Sequence, residues 1–408
     1  MRRLSLLLIV CSGTAWSQLP ATVTLDETLR IVEQSPRIAV SLREEDIARA
    51  ERAAAGALPN PNLSLGRFNP SGGERTMFAA DSQQLAQVEI PVPIFGQRAA
   101  RMRATELGVS RAQSQVRLTI AETRRLAALE FVRLLASGEQ LAARRAALAD
   151  VERIRGLVAG RSESGMASRY DLARADAELA LARVGAQKSE TEVNEHAAAL
   201  AGLVDAPAWR PRAEGSLADL SRQLGGAEDP DSSLGLSANP ALGLARAESE
   251  AAQARVELAH RERYPVPSVS LGRTWTNGPF GAANFIGVQS EIPILDNRRA
   301  LEDRANAEAA AARERERATG AVLRAELDKQ RAALAARREA LARFESEAGA
   351  RQGAFLEMAE SAYRLGRGTL FELLDARRTQ LETTLVRLEL VSAIVEAEIE
   401  LRSLSGSL

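Results

Sequence analysis

Residues 59–67 read PNPNLSLGR and residues 265–273 read PVPSVSLGR, so one pattern occurs twice, 206 positions apart. Further along each copy, QVEIP at residues 87–91 matches QSEIP at residues 289–293, 202 positions apart. Separate matches at nearly the same spacing indicate an internal duplication. The spacing is far longer than the period of a solenoid repeat.

Proline placement divides each copy into unbroken and broken tracts. Residues 94–206 and 294–408 contain no proline, whereas prolines gather at 59–93, 207–240 and 265–293. Proline breaks helix interiors, and the proline-free tracts are rich in the strong helix formers Ala, Glu, Arg and Leu. A helix of about 60 residues is about 90 Å long. The chain therefore predicts long helices that exceed the needs of a compact domain.

Each proline-free tract contains one glycine-rich break. Gly165 and Gly368 each precede an Ala-Arg pair by eight residues, at an offset of 203, which predicts that these two glycines are equivalent. Because glycine ends helices, we expect the long helices to turn back at residues 160–165 and 365–368.

Short alternating runs lie between the helical tracts. Residues 62–68, 86–90, 268–275 and 286–292 place apolar side chains at every second position, as half-buried strands do. Strands of outer-membrane proteins carry aromatic belts at the lipid interfaces. The aromatic residues proposed for such a belt are Phe68, Phe78, Trp275, Phe280 and Phe285.

Four strands cannot close a membrane barrel, because single-chain barrels begin at about eight strands and open sheet edges are not tolerated in lipid. Several copies must therefore pool their strands if these strands lie in a membrane. Two copies give a barrel whose interior is filled by side chains. A conducting pore thus requires three or more copies.

Composition and the N-terminus restrict the class of protein. The chain has 53 basic and 54 acidic residues, so no global charge favours nucleic acid. Residues 1–17 have the basic start, apolar core and small residues of a signal peptide cleaved after Ser17. Acylation of Cys11 is the alternative fate of this segment. After it, the sequence has no apolar run of 18 residues, as a membrane helix requires.

The chain resembles the TolC-type outer-membrane efflux proteins over essentially its whole mature length. The motifs that carry the resemblance are SRYDLARA at residues 168–175, after the glycine turn, and YRLGRGTLFELLDA at residues 363–376. The strand-to-helix passages at residues 90–98 and 292–298 are most similar to the heavy-metal cation efflux branch of the family.

The resemblance implies a mainly α fold with a small β part. Long helical hairpins, one helix pair from each copy of the internal duplication, form an α-barrel. Four strands per chain contribute to a trimeric 12-stranded outer-membrane β-barrel. The expected segments are a signal peptide (1–17), an N-terminal helical segment (18–57), strands 1 and 2 (58–95), the first long helix pair (96–206), a connecting segment (207–236), a helix (237–263), strands 3 and 4 (264–295) and the second long helix pair (296–408).

The function that the resemblance implies is the outer-membrane exit duct of a tripartite efflux pump, with heavy-metal cations as one candidate substrate. Its partners would be two further copies of the chain, outer-membrane lipid, a periplasmic adaptor and a proton-driven inner-membrane pump of the RND type. No cofactor and no nucleic acid is expected. The chain offers no recognisable catalytic set, and its two histidines lack a second ligand at metal-binding spacing, so neither an enzyme nor a metal centre is predicted.

Two groups of residues are candidates for function at the periplasmic end. Glu372 and Asp375 lie three apart on one helix face and would form acidic rings in a trimer, with Arg364 and Arg367 as ion-pair partners that control opening. The ordinary alternative is that these acids only favour a helix N-terminus. The residues expected at the adaptor-docking tips are Gly165, Met166, Ala167, Ser168, Gly366, Gly368, Thr369 and Leu370.

A second class of protein fits part of this pattern. A soluble periplasmic coiled-coil adaptor would also have long helical hairpins, but adaptors usually carry one hairpin between β halves, and this chain has two copies of strands plus a helix pair. Extraction that depends on detergent distinguishes the two.

Overall fold

The computed structural model describes residues 19–69, 82–225, 236–278, 281–347 and 352–408. The signal segment with Cys11, together with Phe78 and Phe280 of the proposed belt, lies outside these residues. The fold is mainly helical with few strands, which confirms the predicted fold class. Among the described residues, none of the helices is both long and apolar enough to cross a membrane.

The chain folds into two compact units, each assembled from both halves of the sequence. Unit 1 comprises the described residues within Met1–Pro36, Thr123–Glu228 and Gln330–Leu401. Unit 2 comprises those within Arg37–Glu122, Asp229–Lys329 and Arg402–Leu408. Each unit thus contains material from both copies of the repeat.

The elements alternate in the order that the prolines predict. The helices are α1 (Leu25–Val32), α2 (Pro36–Ala55), α3 (Gln97–Glu163), α4 (Arg169–Leu203), α5 (Leu217–Gly225), α6 (Pro240–Glu262), α7 (Arg299–Glu347), α8 (Gln352–Arg364) and α9 (Leu370–Leu404). The strands are β1 (Thr22–Val23), β2 (Asn62–Phe68), β3 (Gln83–Pro91), β4 (Arg212–Ala213), β5 (Ser268–Thr276) and β6 (Ala282–Gln289).

Polar side chains mark where several helices begin. Thr24 and Glu27 form a reciprocal capping box at the start of α1. The side chain of Asn239 accepts hydrogen bonds from two backbone amides of α6, and Pro240 occupies its first turn. These caps satisfy amides that have no partner inside the helix. The sequence therefore fixes these helix starts locally.

Unit 1 holds a two-stranded parallel sheet that the alternation pattern does not predict. β1 pairs with β4, with Thr22 opposite Arg212, and the indole of Trp209 donates a 2.8 Å hydrogen bond to the carbonyl oxygen of Pro20. Two-residue strands carry no periodic signal. They join parts of the chain about 190 residues apart and so depend on tertiary packing.

Unit 2 holds an antiparallel four-stranded sheet in the order β2-β3-β5-β6. Its two edge strands, β2 and β6, belong to different copies of the repeat. The strand ends that the two hairpins connect, Phe68 with Gln83 and Trp275 with Ala282, lie at the same end of this sheet. At the other end each strand continues toward a helix.

The two copies anchor their strand-to-helix passages in the same way. Arg98 donates a 2.8 Å hydrogen bond to the carbonyl oxygen of Gly56, just beyond α2. Arg298, which is 200 positions later, donates a 2.9 Å hydrogen bond to the carbonyl oxygen of Glu262, at the end of α6. Each arginine therefore ties a long helix to the helix that precedes the sheet.

The structure corrects three details of the sequence interpretation. β6 ends at Gln289, so Ile292 lies beyond the predicted strand. α3 continues through Gly160 as far as Glu163, because a single glycine costs a long helix only about 1 kcal/mol. The residue equivalent to Gly165 is Gly366, not Gly368, because Gly165 and Gly366 take the same left-handed conformation.

Candidate functional site

One face of the four-stranded sheet is apolar and open to solvent. Residues that are paired across neighbouring strands form rows over the sheet. The side chains of one row lie on one face, and those of the next row lie on the opposite face. Side chains on this face are largely exposed, with Leu65 and Ile286 each 75% exposed. The apolar rows are Leu63, Val88, Leu271 and Ile286, and Ile90, Val269 and Val288; a third row is mixed, with Leu65 and Ala86 beside Arg273 and Asn284. An exposed apolar surface of this kind marks contact with lipid or with another protein.

The opposite face of the sheet is polar. One of its rows consists of Ser64, Gln87, Gly272 and Phe285. A Cβ added to Gly272 would lie 2.3 Å from the Phe285 ring, so this aromatic ring lies on the glycine. An alternation of apolar and polar faces is the pattern of a barrel that meets lipid outside and water inside.

The proposed aromatic belt is divided between these two faces. Trp275 is in register with Gln84 and lies on the apolar face. Phe68 lies on the polar face, where its ring is 3.6 Å from a Cβ added to Gly66, and Phe285 shares that face. The register therefore leaves Trp275 as the one described belt residue on the apolar side. The sequence shows which residues are aromatic, but the face of the sheet on which each ring lies depends on the register between strands.

In unit 1, the two predicted helix tips are built as copies of one turn. Gly165 and Gly366 have φ of +75° and +69°, a conformation that glycine adopts without strain. The amide of Met166 donates to the carbonyl oxygen of Arg161 at 2.7 Å, and the amide of Arg367 donates to that of Ala362 at 2.9 Å. These bonds close the ends of α3 and α8 as glycine C-caps do.

The helices that follow the two turns also begin alike. Ser168 and Asp171 form a capping box at the start of α4. At the start of α9, the amide of Thr369 donates to Glu372 at 2.8 Å, and the amide of Glu372 donates to the Thr369 hydroxyl at 3.3 Å. Glu372 is thus the structural equivalent of Asp171, 201 positions later. Its capping contact is the ordinary role considered for it above.

The remaining candidate gate residues have different surroundings. Asp375 is exposed and forms no ion pair with any described residue of the protomer. Arg364 lies 3.8 Å from Glu360, and Arg367 forms no ion pair in the described part of the chain. Within one protomer the structure therefore does not join these arginines to Glu372 or Asp375, and any such pair requires another copy.

The tips contact each other through two arginines. The guanidinium of Arg161 donates a 3.0 Å hydrogen bond to the carbonyl oxygen of Tyr363 and lies 4.8 Å from its ring centre. Arg174 lies 5.1 Å from the ring centre of Phe371. Each arginine comes from the first copy and each aromatic ring from the second. Sequence reasoning missed both contacts, because no local pattern links residues about 200 positions apart.

Below the turns, α3, α4, α8 and α9 share an apolar core. Its buried members are Ile154, Val158, Ala175, Tyr363, Leu370, Leu373 and Leu374. Leu370, proposed above as a docking residue, is 5% exposed and so packs inside the tip. Met166 and Leu365, by contrast, are 70% and 71% exposed. The tips therefore present exposed apolar side chains above a buried core.

Ion pairs surround this core. Arg153 donates a 2.7 Å hydrogen bond to Glu360 and also contacts Asp150. The Glu360 carboxylate holds the pKa of the Arg153 guanidinium above its ordinary value. Asp150 pairs in turn with Arg377, and Arg378 pairs with Glu178 at 2.8 Å. These bridges fix α3 to α8 and α9, and α4 to α9.

The two histidines each contact a carboxylate. His196 lies 3.1 Å from Glu130 in unit 1. In unit 2, His260 lies 3.0 Å from Glu302, which also accepts a 2.7 Å hydrogen bond from Arg263. The described residues contain no group of three or more His, Cys, Asp or Glu side chains that could hold a metal ion.

Residues 232–407 match the family described as "Outer membrane efflux protein". Three of the solved structures that share the fold each align with 94% of this chain. VceC of Vibrio cholerae is 18% identical, with 96% of its chain covered and a TM-score of 0.76. CusC is 17% identical, with 92% covered and a TM-score of 0.71. The open-state MtrE outer membrane channel of Neisseria gonorrhoeae is 16% identical, with 89% covered and a TM-score of 0.73.

These matches confirm the family resemblance that the sequence motifs indicate. Among curated proteins, none matches the chain in sequence. The family match covers the second copy of the repeat, and the fold likeness extends over both copies.

Proposed function

We infer that this chain, a member of the outer membrane efflux protein family, contributes one protomer to the exit duct of a tripartite efflux pump in the outer membrane. It acts as a channel and not as an enzyme. The observation that carries this conclusion is the four-stranded sheet, which has one exposed apolar face and one polar face.

The sheet supports an oligomeric assembly. β2 and β6 are edge strands, and their backbone groups require partners in lipid. Pairing β6 of one protomer with β2 of the next closes a ring without leaving an edge. Three protomers give 12 strands, enough for an open interior, whereas two give eight and a filled one.

The same sheet orients the chain in the membrane. Its strands lead into the helices at one end and into the hairpin loops at the other. The helices are too polar to enter the bilayer, so they continue on the periplasmic side and the loops face the exterior. Polar side chains such as Gln87 would then line the pore.

For the periplasmic end we propose a docking role for the two tips. Gly165, Met166, Ala167, Ser168, Gly366, Gly368 and Thr369 form the paired turns, with Leu370 holding them from within. The exposed side chains of Met166 and Leu365 offer apolar anchors to the helical hairpin of an adaptor. The adaptor would link the duct to an inner-membrane pump of the RND type.

We also propose that Glu372 and Asp375 form the acidic ring of a gate at this end. Asp375 has no partner among the described residues of its own protomer, so its charge remains available to Arg364 or Arg367 of a neighbouring copy. Heavy-metal cations are the candidate substrates. That substrate proposal rests on the strand-to-helix passages at residues 90–98 and 292–298.

The decisive experiment is the purification of the mature protein in nonionic detergent, followed by its mass and its conductance in planar bilayers. A trimer that conducts ions supports the duct. A protein that stays soluble and monodisperse without detergent and forms no pore would instead favour the coiled-coil adaptor.

A further inference from the structure

Two arginines interrupt the apolar face of the sheet at its hairpin-loop end. Arg67 is opposite Gln84, in the row that also contains Trp275. Arg273 is opposite Ala86 and belongs to the adjacent row on the same face. Both arginines are exposed. Basic side chains therefore border the apolar rows at the end where the β-hairpins turn.

Among the residues that the structure describes, these arginines have no acidic partner. Arg67 donates a hydrogen bond to the side chain of Asn69, at 3.3 Å, and Arg273 lies 5.7 Å from the ring centre of Trp275. None of the described strand residues on this face is acidic. The edge strands β2 and β6 also lack an acid on this face, so the strands of a second copy paired along either edge would add no acid to it.

A cation on a lipid-facing surface is costly at the bilayer centre but is tolerated near the headgroups. Tryptophan also prefers the headgroup level. The position of Trp275 beside Arg273 therefore indicates that this row lies at the interface. Because the hairpin loops face the exterior in the proposed function, this interface belongs to the outer leaflet.

We propose that Arg67 and Arg273 bind the phosphate groups of a phosphorylated lipid in the outer leaflet. This inference rests on the proposed function. Arginine donates paired hydrogen bonds to phosphate oxygens, and each basic residue near a charged membrane surface adds appreciable affinity. The apolar rows below the arginines would contact the acyl chains of the same lipid.

The spacing of the arginines suits a headgroup with more than one phosphate. They are two strands and two residues apart, which separates their Cα atoms by about 12 Å. The two long side chains can therefore engage separate phosphates of one headgroup. Trp275 stacks against Arg273 and reduces the number of orientations open to its guanidinium.

Native mass spectrometry of the detergent-purified trimer tests the proposal. Bisphosphorylated lipid A and the same lipid without phosphates are the probes, and inorganic phosphate is the competitor. We expect the wild-type trimer to bind the phosphorylated lipid about thirtyfold more tightly than the dephosphorylated one. The variant R67Q/R273Q should lose this difference, and R67K/R273K should keep part of it because lysine retains the charge.

R313Q/R315Q is the matched control, because it removes two exposed arginines of α7 that form no ion pair with described residues. It should bind lipid as the wild type does. Equal binding of both lipids by the wild type would overturn the proposal, and this comparison requires no variant to fold. Binding of inorganic phosphate that displaces the lipid completely would assign the arginines to free phosphate and also overturn it.

The proposed function is judged separately. R67Q/R273Q should remain a trimer and conduct ions as the wild type does, since neither arginine faces the pore. A wild-type protein that forms no trimer and no pore would refute the duct itself. A conducting trimer that ignores the lipid phosphates would refute only the lipid site.

Discussion

Arg161 at the end of α3 donates a hydrogen bond to the carbonyl oxygen of Tyr363 at the end of α8, 202 positions away in the sequence. The same guanidinium lies over the tyrosine ring. The two copies of the repeat are thus joined at their tips by a side chain present in only one of them. Substitution of Arg161 tests this link.

R161M should make the turn between α8 and α9, at residues 365–369, open more often while the helices remain folded. Loss of a hydrogen bond from a charged donor and of a cation–π contact lowers the local opening free energy by about 2 kcal/mol. Hydrogen exchange of the Arg367 and Gly368 amides, both bonded to Ala362, should accelerate about thirtyfold. R155Q removes only the exposed pair with Asp176 and should change exchange at the tip little. Unchanged exchange in R161M would contradict the link.

The gate proposal can be separated from helix capping. In E372Q/D375N both charges are lost, but glutamine at the third helical position still completes a capping box. We expect the conductance of the trimer in planar bilayers to rise severalfold if the acids hold the channel closed through ion pairs.

D171N is the control for this gate, because Asp171 caps α4 in the same way that Glu372 caps α9. A rise in conductance in D171N equal to that in E372Q/D375N would mean that tip stability, and not the charges of Glu372 and Asp375, controls opening.

The two faces of the sheet can be tested with adjacent residues of one strand. V88R places a charge on the apolar face near the middle of β3, where it costs about 2–4 kcal/mol in lipid, and should greatly reduce the yield of membrane-inserted trimer. Q87R places the same charge on the polar face and should assemble normally while shifting ion selectivity toward anions. Equal yields of the two variants would refute the assignment of lipid to the Val88 face.

Glu302 predicts a pH-dependent contribution to stability. Hydrogen bonds from His260 and then Arg263 lower the pKa of Glu302 below its ordinary value of 4.5. The ionised carboxylate therefore stabilises the folded unit above the unfolded-state pKa, and this stabilisation is lost as the pH falls through the folded-state pKa. The melting temperature of E302Q should be lower than that of the wild type at pH 7 and should approach it near pH 3.

E308Q is the control for this effect, since Glu308 forms only an exposed pair with Arg304 within α7. Such pairs contribute little to stability. A wild-type advantage over E302Q that persists unchanged at pH 3 would contradict the assignment.

Much of the fold was predictable because its signals are local. Proline-free tracts predicted α3, α4, α7 and α9, and alternation predicted the sheet strands to within a few residues. Capping residues such as Ser168 and Thr369 lie at the helix starts that the glycine turns indicate. These helices, strands and caps depend on residues that are close in sequence, so local sequence patterns predict them.

Most of the features that the sequence did not predict depend on distant partners or on the conformation of the folded backbone. Phe68 and Trp275 look alike as interfacial aromatics, but strand register places them on opposite faces. Gly368 matched Gly165 by spacing, whereas the conformation of the chain selects Gly366. The contact of Arg161 with Tyr363 joins two copies of the repeat, and no periodicity within either copy contains it.

The repeated turn has a consequence for the symmetry of the assembly. In a trimer, the turns at Gly165 and Gly366 would occur six times, alternating between two kinds around a threefold axis. Such a ring would be pseudo-sixfold, because one backbone turn would occur six times while its side chains repeat only three times. Since both kinds of turn are encoded in one chain, each can change in evolution without forcing the same change on its neighbours. A protein built from six identical hairpins would lack that freedom.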